Sequence, residues 1–166
     1  MNINEIVAGY ATRNAKGEVE VNLKALARDK DFRDEVIKDI RKILESEEHK
    51  NALVVIPAFQ SGAQDNHLGK LINEIAEQVR PKGLETGDVK NVGQRRRLPQ
   101  EVIIIKQSFR TGTGLQKQIA TLRELGVPKI TVRCIITHAT NRMQGFGYEN
   151  NVDINALVKT DEVRLI

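Results

Sequence analysis

The sequence is poor in cysteine and in aromatic residues. Its 166 residues include a single cysteine, Cys134, no tryptophan, and only 4% aromatic residues in total. One cysteine excludes an internal disulfide bond, so the chain suits a reducing compartment. Because base stacking needs aromatic side chains, the composition also argues against a protein that holds single-stranded nucleic acid mainly by stacking.

Long hydrophobic runs are also missing. The unbroken apolar stretches, such as residues 102–105, extend over only a few positions, whereas a membrane-spanning helix needs ~20 apolar residues. The first residues lack the basic start and the apolar core of a signal peptide. With 40% hydrophobic and 29% charged residues, the chain has the composition of a globular protein. We therefore expect a cytoplasmic protein that forms one domain over residues 1–166.

Positive charge is concentrated in one part of the chain. The formal net charge is only +4, from 26 basic and 22 acidic residues, which alone is weak support for a nucleic-acid partner. Residues 89–113, however, contain one acid, Glu101, against six basic residues: Lys90, Arg95, Arg96, Arg97, Lys106 and Arg110. This excess predicts an anionic ligand, with a merely solvated basic surface as the alternative.

Helix and strand patterns alternate through most of the chain. Helices are predicted where apolar residues recur every three or four positions, and strands where short apolar runs lie between loops. The predicted helices are a short one capped by Asn22, one that starts at Asp31, and two that contain residues 68–79 and 115–125. The predicted strands are residues 52–56, 102–105, 130–136 and 163–166. This order is typical of an α/β fold with a parallel sheet covered by helices on both faces.

Two segments between these elements are predicted to be loops. Residues 137–151 hold two closely spaced glycines, Gly145 and Gly147, and precede a short helical turn predicted at residues 154–158. Residues 82–100 show no periodic pattern and contain Arg95, Arg96 and Arg97. Because a loop of that length in a compact domain is usually functional or disordered, we interpret residues 82–100 as a flexible basic flap.

The loop after the second core strand has the features of a phosphate-binding site. Apolar residues 102–105 lead into polar ones, then into Thr111, Gly112, Thr113 and Gly114, and then into an amphipathic helix. Glycines let the backbone approach a ligand, and the exposed amides at a helix start attract anions together with the threonine hydroxyls. A tight strand-to-helix turn that binds no ligand is the alternative interpretation.

One stretch of the chain resembles a known family. The phosphoribosyl-pyrophosphate loop of the type I phosphoribosyltransferases is similar to residues 101–115, which read EVIIIKQSFRTGTGL. Residues 57–62 follow the first core strand, where that family has its pyrophosphate loop, and residues 155–163 are similar to the closing segment of ribose-phosphate diphosphokinases. The resemblance covers residues 30–166. It implies a three-layer fold with a mainly parallel, twisted sheet flanked by helices.

The resemblance also implies roles for individual residues. The implied phosphate- and ligand-binding residues are Ser61, Gly62, Lys106, Gln107, Ser108, Arg110, Thr111, Gly112, Thr113 and Gly114. The candidates for a catalytic role are Lys106 and the three arginines Arg95, Arg96 and Arg97. The arginines lie in the segment that corresponds to a flap over the active site in the family. Family members are commonly dimers, so a homodimer is also implied.

The acidic pair of the family is missing from this chain. Its positions correspond to Lys106 and Gln107, whereas Mg²⁺ is held by carboxylate and other oxygen ligands. A lysine there repels the ion, and charges ~4 Å apart interact by several kcal/mol when they are partly shielded from water. The sequence therefore argues against ordinary Mg²⁺-dependent catalysis. Elsewhere, Cys134 and His138 lack a second pair of ligands, so no metal-binding residues are predicted.

Three functions are compatible with these observations. The first is a glycosyltransferase that moves phosphoribose from phosphoribosyl pyrophosphate to a nucleobase-like acceptor. The second is a non-catalytic protein that binds a nucleotide, or a nucleic-acid phosphate, for regulation or sequestration. The third is a structural subunit that has kept only the fold. A fold does not by itself determine a function, so all three stay open at this point.

Overall fold

The amino-terminal part of the chain forms a helix and a small hairpin. The computed structural model describes residues 2–56, 66–78, 84–86 and 89–165. Helix α1 (Ile3–Ala8) is followed by strands β1 (Ala11–Arg13) and β2 (Val19–Val21), which pair antiparallel. The turn between the strands is stabilised by Asn14, whose side-chain oxygen accepts hydrogen bonds from the amides of Lys16 and Glu18. Such an Asx-type turn accounts for the hairpin.

Two helices follow, and each begins at a side-chain cap. The Asn22 side chain accepts a hydrogen bond from the Ala25 amide at the start of α2 (Leu23–Leu26). Asp29 accepts one from the Phe32 amide at the start of α3 (Lys30–Glu45). Capping satisfies amides that have no partner inside the helix, and both predicted helices are confirmed. The Tyr10 hydroxyl also donates to Asp29, and this contact ties the hairpin to α3.

Five parallel strands form the central sheet. The strands are β3 (Leu53–Ile56), β4 (Leu84–Thr86), β5 (Glu101–Phe109), β6 (Lys129–Thr137) and β7 (Asp153–Lys159). They lie in the order β4-β3-β5-β6-β7. The connecting helices are α4 (Asn66–Gln78), α5 (Thr113–Leu125) and α6 (Thr140–Asn150), and three short 3₁₀ segments cover Glu47–His49, Val89–Gln94 and Thr160–Glu162. Within the described ranges, no helix is long and apolar enough to cross a membrane.

The sheet separates two hydrophobic clusters. Side chains alternate between the faces of a strand, and on β5 the residues Ile103 and Ile105 belong to the cluster formed with α1 to α4. Val102 and Ile104 belong to the cluster formed with α5 and α6. Arg133 of β6 adds a polar contact, since it donates to Asp39 of α3 over 2.7 and 3.1 Å. The predicted three-layer α/β fold is therefore confirmed.

The carboxyl-terminal third differs from its predicted secondary structure. Residues 137–151 were expected to form a loop, but α6 occupies most of them, and strand β7 replaces the helical turn predicted at 154–158. The strand predicted at 163–166 is wrong, because residues 163–165 have no regular structure. Glycines disfavour a helix, so the formation of α6 is explained by its contact with the rest of the fold. A Cβ on Gly147 would lie 2.6 Å from Ile154 Cγ2, so this glycine permits close packing of α6 on β7.

The predicted flap at residues 82–100 contains regular structure. Strand β4 pairs with β3 (Val54 opposite Leu84), and the 3₁₀ segment Val89–Gln94 follows it. Val89 and Val92 are buried in the cluster beneath α5. The interpretation of the whole segment as an irregular loop is therefore wrong for residues 84–86 and 89–94. Sequence periodicity did not show these elements because each is only three to six residues long.

A buried carboxylate joins the amino ends of the central strands. Glu101 of β5 accepts hydrogen bonds from His49 Nδ1 (3.0 Å) and Thr131 Oγ1 (2.7 Å), and Lys129 Nζ lies 3.5 Å away. Burial alone would raise the pKa of Glu101. The hydrogen bonds from His49 and Thr131, together with the electrostatic attraction of His49 and Lys129, nevertheless lower this pKa below its usual value. The cluster therefore stabilises the ionised form of Glu101.

We expect Glu101 to make the folding stability depend on pH in the acidic range. A carboxylate whose pKa is lower in the folded than in the unfolded state stabilises the fold above the unfolded pKa, and this contribution is lost as the pH falls through the folded pKa. Glu101→Gln should therefore cost ~1–3 kcal/mol at neutral pH and progressively less below pH ~4. Urea denaturation of the wild type and the variant, repeated from neutral to acidic pH, measures this loss in the free energy of unfolding. The control is Glu48→Gln, at an exposed residue near His49 and Lys129, which should cost less than ~1 kcal/mol. Equal losses in the two variants would contradict the proposed stabilisation by the Glu101 carboxylate.

Candidate phosphate-binding site

The order of the strands creates a crevice at one edge of the sheet. From β3 the chain passes to β4 on one side of β3 and then to β5 on the other. In open parallel sheets, ligands bind outside the carboxyl ends of the strands at such a switch point. The carboxyl end of β5 leads into residues 110–114, so the predicted phosphate loop lies at this edge. Ser61 and Gly62 of the predicted pyrophosphate loop lie outside the described residues, and their role stays a prediction.

Strand β5 extends further than the sequence indicated. Lys106, Gln107 and Ser108 were predicted at the start of a loop, but they belong to the strand, which runs to Phe109. Lys106 lies opposite Cys134 of β6 in the register. Burial lowers the pKa of Lys106 and raises the pKa of the Cys134 thiol to about 12. Cys134 is buried, so it is a core residue, and because its thiol stays protonated it is not a nucleophile.

Gln107 places an acceptor near the end of the same strand. Its side-chain carbonyl oxygen is shielded from solvent and has no hydrogen-bond partner among the residues that the structure describes. A buried polar atom without a partner is unfavourable, so such an atom calls for an explanation. A ligand hydroxyl bound at this edge would satisfy it. Gln107 is therefore a candidate contact for a polyhydroxylated ligand.

The start of α5 presents open backbone amides. Gly112 is the residue that caps the helix, and it supplies no side-chain hydrogen bond. The first amide bonded within the helix is that of Gln116, which donates to the Gly112 carbonyl over 2.8 Å. The preceding amides, those of residues 113–115, therefore have no partner inside the helix. They point out of the helix where its dipole is positive, which makes this terminus suitable for an anion.

Side chains of the loop add donors and positive charge to these amides. The hydroxyls of Thr111 and Thr113 lie 3.2 Å apart, so both lie at the same side of the loop. Arg110 is exposed and forms no ion pair with an acid in the described part of the chain. An arginine and two hydroxyls beside a helix start are groups that bind phosphate oxygens. The structure thus brings together residues 110–114 of the predicted site.

Gly112 is required at its position for two reasons. Its φ of 79° lies in the left-handed region, which glycine adopts without the steric penalty of a side chain. A Cβ there would lie 2.6 Å from Phe146 Cδ2 and 2.9 Å from Phe109 Cε2. These two rings pack edge to face with their centroids 5.4 Å apart, and they support the loop from the core. Phe146 is therefore a core residue.

A cleft continues from Arg110 towards the amino-terminal hairpin. Its volume is about 640 Å³, which is within the range of small-molecule sites. The polar and charged side chains that line it are Arg13, Asn14, Glu18, Glu20, Arg110, His138, Thr160 and Asp161. Sequence reasoning missed the contribution of residues 13–21, because two three-residue strands give no clear periodicity. Asn14 and Gly17, two residues that favour turns, precede residues 19–21, in which apolar and polar side chains alternate. This pattern indicates a hairpin.

The three arginines proposed for catalysis lie at a different place. Residues 95–97 follow the 3₁₀ segment that packs on the carboxyl end of α5, where a Cβ on Gly93 would lie 2.7 Å from Leu125 Cδ2. Helix α5 has 13 residues, so its two ends are ~20 Å apart at 1.5 Å per residue. The phosphate loop lies at the opposite end. The described geometry therefore does not bring Arg95, Arg96 and Arg97 to residues 110–114.

The residues at the end of β5 do not fit a carboxylate-held magnesium ion. Lys106 and Gln107 supply a cation and an amide where two carboxylates are needed. Within the described ranges, no three His, Cys, Asp or Glu side chains gather into a group that could hold a metal ion. Lys106 and Gln107 therefore do not provide the oxygen ligands that a magnesium ion needs.

Comparisons with known proteins confirm the fold. The sequence matches no protein-family model and no curated protein. The structure is similar to the orotate phosphoribosyltransferase of Aeropyrum pernix, with a TM-score of 0.60 and 12% identity over 97% of this chain and 96% of that one. It is also similar to the adenine phosphoribosyltransferase of Giardia lamblia in complex with 9-deazaadenine, with a TM-score of 0.62 and 12% identity over 96% and 98% of the two chains.

A third similar structure contains phosphoribosyl pyrophosphate. It is the orotate phosphoribosyltransferase of Mycobacterium tuberculosis in complex with 5-phospho-α-D-ribosyl 1-diphosphate, with a TM-score of 0.56 and 9% identity over 98% of this chain and 89% of that one. At such low identity, the likeness shows the fold and not the substrate. The resemblance noted in the sequence is thus confirmed at the level of the fold.

Proposed function

We propose that this chain, which has the fold of the type I phosphoribosyltransferases, binds phosphoribosyl pyrophosphate or a nucleotide by its phosphate at the start of α5. The observation that carries the proposal is the set of open amides at residues 113–115 beside Arg110. The phosphoribosyltransferase of similar fold with bound phosphoribosyl pyrophosphate supports this choice of ligand. Ser108, Thr111 and Thr113 belong to the same proposed site as additional polar contacts.

The proposed binding does not require magnesium. In a carboxylate-containing site, a metal ion is needed to offset the repulsion between the acids and an anionic ligand. Here Lys106 places a positive charge at the end of β5 instead, and Gln107 offers an acceptor to a ribose hydroxyl. An ammonium group attracts the pyrophosphate directly. We therefore expect ligand binding in the presence of a chelator.

Gly114 provides the most direct test of the proposed site. A Cβ at Gly114 meets no atom within 4 Å, so Gly114→Glu does not disturb packing, and a carboxylate in the first turn favours the helix by ~0.3–1 kcal/mol. The same carboxylate competes with a phosphate for the amides. We expect phosphoribosyl pyrophosphate to bind at least ~10-fold more weakly, a loss of about 1.4 kcal/mol, with unchanged or higher thermal stability. Isothermal titration calorimetry in EDTA measures the affinity.

Gly145→Glu is the matched control for this experiment. Gly145 also lies in a helix, α6, and a Cβ there also meets nothing within 4 Å. The two variants carry the same change in net charge, and only the Gly114 variant places it at the proposed site. Equal affinities for the two variants would show that the phosphate binds elsewhere.

Transfer of phosphoribose to an acceptor is the second candidate function. The observation in its favour is the cleft of about 640 Å³ that begins at Arg110, because it leaves room for an acceptor beside a bound phosphate. The similar structure with 9-deazaadenine supports a nucleobase as the acceptor class. Pyrophosphate release from phosphoribosyl pyrophosphate, measured with a panel of nucleobases, tests the activity. Ligand binding without release would favour the non-catalytic function over the transferase.

A further inference from the structure

The cleft between Arg110 and the amino-terminal hairpin carries negative as well as positive charge. Arg110 lines it beside the open amides at the start of α5. The lining also includes three carboxylates, those of Glu18 and Glu20 in the hairpin and that of Asp161 in the 3₁₀ segment after β7. We call these three residues the acidic wall. Strand β2 contacts that 3₁₀ segment, so the two parts of the acidic wall are neighbours.

The hydrogen bonds of the acidic wall come from neutral groups. Glu20 accepts one from the Asn14 side chain over 3.1 Å, and Asp161 accepts one from Thr140 Oγ1 over 2.7 Å. The Glu18 side chain accepts none from the residues that the structure describes, and none of the three acids forms an ion pair with a cation among them. Because a carboxylate has about four sites that accept hydrogen bonds, the acidic wall keeps acceptors for a ligand.

The two arginines of the lining do not neutralise the acidic wall. The guanidinium of Arg13 donates to the Gly17 carbonyl oxygen over 2.6 Å, which holds it on the turn of the hairpin. Arg110 belongs to the proposed phosphate site. Beyond a bound phosphate, the lining therefore holds three carboxylates against one arginine, together with His138. This balance favours a neutral or positively charged group of the ligand over an anionic one.

A hydroxyl of a buried residue also opens into the cleft. Thr160 is only 6% exposed and belongs to the lining. Its hydroxyl forms no hydrogen bond within the described part of the chain, and it is not one of the side-chain atoms sealed from solvent. A hydroxyl in so buried a residue has little access to water, so a polar group of a ligand is the partner that it lacks. Thr160 and the acidic wall therefore form the polar lining of one cavity.

We propose that the cleft selects a nucleobase that presents N–H donors, as an amino-substituted purine does, over a base that presents a carbonyl oxygen at the same edge. The proposal rests on the phosphate site proposed above, which places the ligand beside Arg110. Carboxylates accept hydrogen bonds and donate none, so an amino group that faces the acidic wall forms charge-assisted bonds. A carbonyl oxygen in the same position faces acceptors only, and it loses its water without a replacement.

Two pairs of nucleotides test this preference by titration calorimetry in EDTA. The 5′-monophosphates of adenosine and inosine differ by an amino group against a carbonyl oxygen at one position of the purine, and those of guanosine and xanthosine differ in the same way at another position. In at least one pair, we expect the amino member to bind the wild type at least ~10-fold more tightly, the effect of one hydrogen bond to a charged group.

The variant E18Q/E20Q/D161N should lose the preference. Each amide offers a donor as well as an acceptor, so the ratio of the two affinities should fall below ~3-fold. The amide oxygens keep the hydrogen bonds from Asn14 and Thr140, so the fold is preserved. Should this variant melt early in circular dichroism, E18Q alone replaces it, because the Glu18 side chain has no hydrogen-bond partner among the described residues. The single change should lower the ratio at least ~2-fold.

The variant D34N/E124Q/E149Q is the matched control. It also removes one aspartate and two glutamates, at exposed residues of α3, α5 and α6 that do not line the cleft. This variant should keep the ratio of the wild type. Phosphoribosyl pyrophosphate, which has no base, should bind E18Q/E20Q/D161N at least as tightly as the wild type, because the substitutions remove negative charge near an anionic ligand.

Three results would overturn the proposal. The first is equal or tighter binding of the carbonyl member in both pairs, and the second is the same ratio in E18Q/E20Q/D161N as in D34N/E124Q/E149Q. In either case, nucleotide binding that Gly114→Glu weakens would leave the phosphate site supported. The third is a wild type that binds no nucleotide, or binds it with an affinity that Gly114→Glu does not change, and this result would overturn the phosphate site as well.

Discussion

Replacing Gly112 with alanine is expected to destabilise the protein by about 2–5 kcal/mol. About 1–2 kcal/mol comes from placing a Cβ on a residue in the left-handed region, since Gly112 has a φ of 79°. A further ~1–3 kcal/mol comes from overpacking, because the new Cβ would lie 2.6 Å from Phe146 and 2.9 Å from Phe109. Urea denaturation, followed by circular dichroism, measures the sum.

Gly17→Ala separates the two causes. Gly17 has nearly the same φ, 80°, but a Cβ there meets no atom within 4 Å. This substitution should therefore cost only the conformational part, ~1–2 kcal/mol. The difference between the two losses of stability therefore measures how tightly the phosphate loop packs on the Phe109–Phe146 pair. If both variants lose the same stability, the loop does not rest on these rings as the structure shows.

Changing Lys106 to aspartate is expected to make ligand binding depend on magnesium. The substitution changes the local charge by two units, and each unit ~6 Å from a bound phosphate is worth about 2–3 kcal/mol at an effective dielectric constant near 20. Salt reduces this value, so we expect a loss of ~100-fold in affinity for phosphoribosyl pyrophosphate in EDTA. Added Mg²⁺ should restore part of the affinity, because it offers a carboxylate-bound cation in place of the ammonium group.

Lys106→Met is the control for this change. Methionine removes the positive charge without adding a negative one, so the loss in EDTA should be smaller and Mg²⁺ should not restore binding. Titration calorimetry of both variants, with and without Mg²⁺, gives the comparison. If the affinity is the same with lysine, aspartate or methionine at position 106, Lys106 does not face the ligand. Loss of binding in the Gly114→Glu variant would in that case still support the phosphate site.

The phosphate loop was predictable because its features are local. Apolar residues 102–105 before Thr111 and Gly112, and an amphipathic helix after them, all lie within the continuous stretch 102–125. Secondary structure determined by short-range pattern, such as α3 and α5, was predicted for the same reason. Helix α6 was not, because Gly145 and Gly147 have low helix propensity, and the packing of Gly147 against Ile154 appears only in three dimensions.

The cleft and the location of Arg95 to Arg97 could not be predicted, because both depend on contacts between distant parts of the chain. Arg110 and Glu18 line the same cleft although they are far apart in the chain, and nothing in either segment predicts the contact. Arg95 to Arg97 are close to Lys106 and Arg110 in the sequence and lie in the segment that corresponds to the family's flap, so they were assigned to the same site. The nine-residue strand β5 carries the chain away from them to residues 110–114, and the 13-residue helix α5 brings it back to their side, so closeness in sequence did not mean closeness in space.

The amino-acid sequence alone determined the alternation of helices and strands, the glycine-rich loop at residues 110–114, and the absence of the acidic pair at Lys106 and Gln107. These properties depend on residues that are neighbours along the chain. Only the tertiary structure decided which residues meet: it placed the amino-terminal hairpin and Arg110 in the lining of one cleft, and Arg95 to Arg97 at the other end of α5. The physical reason is that such contacts are set by strand order and by packing between distant segments, and local residue patterns do not encode either one directly.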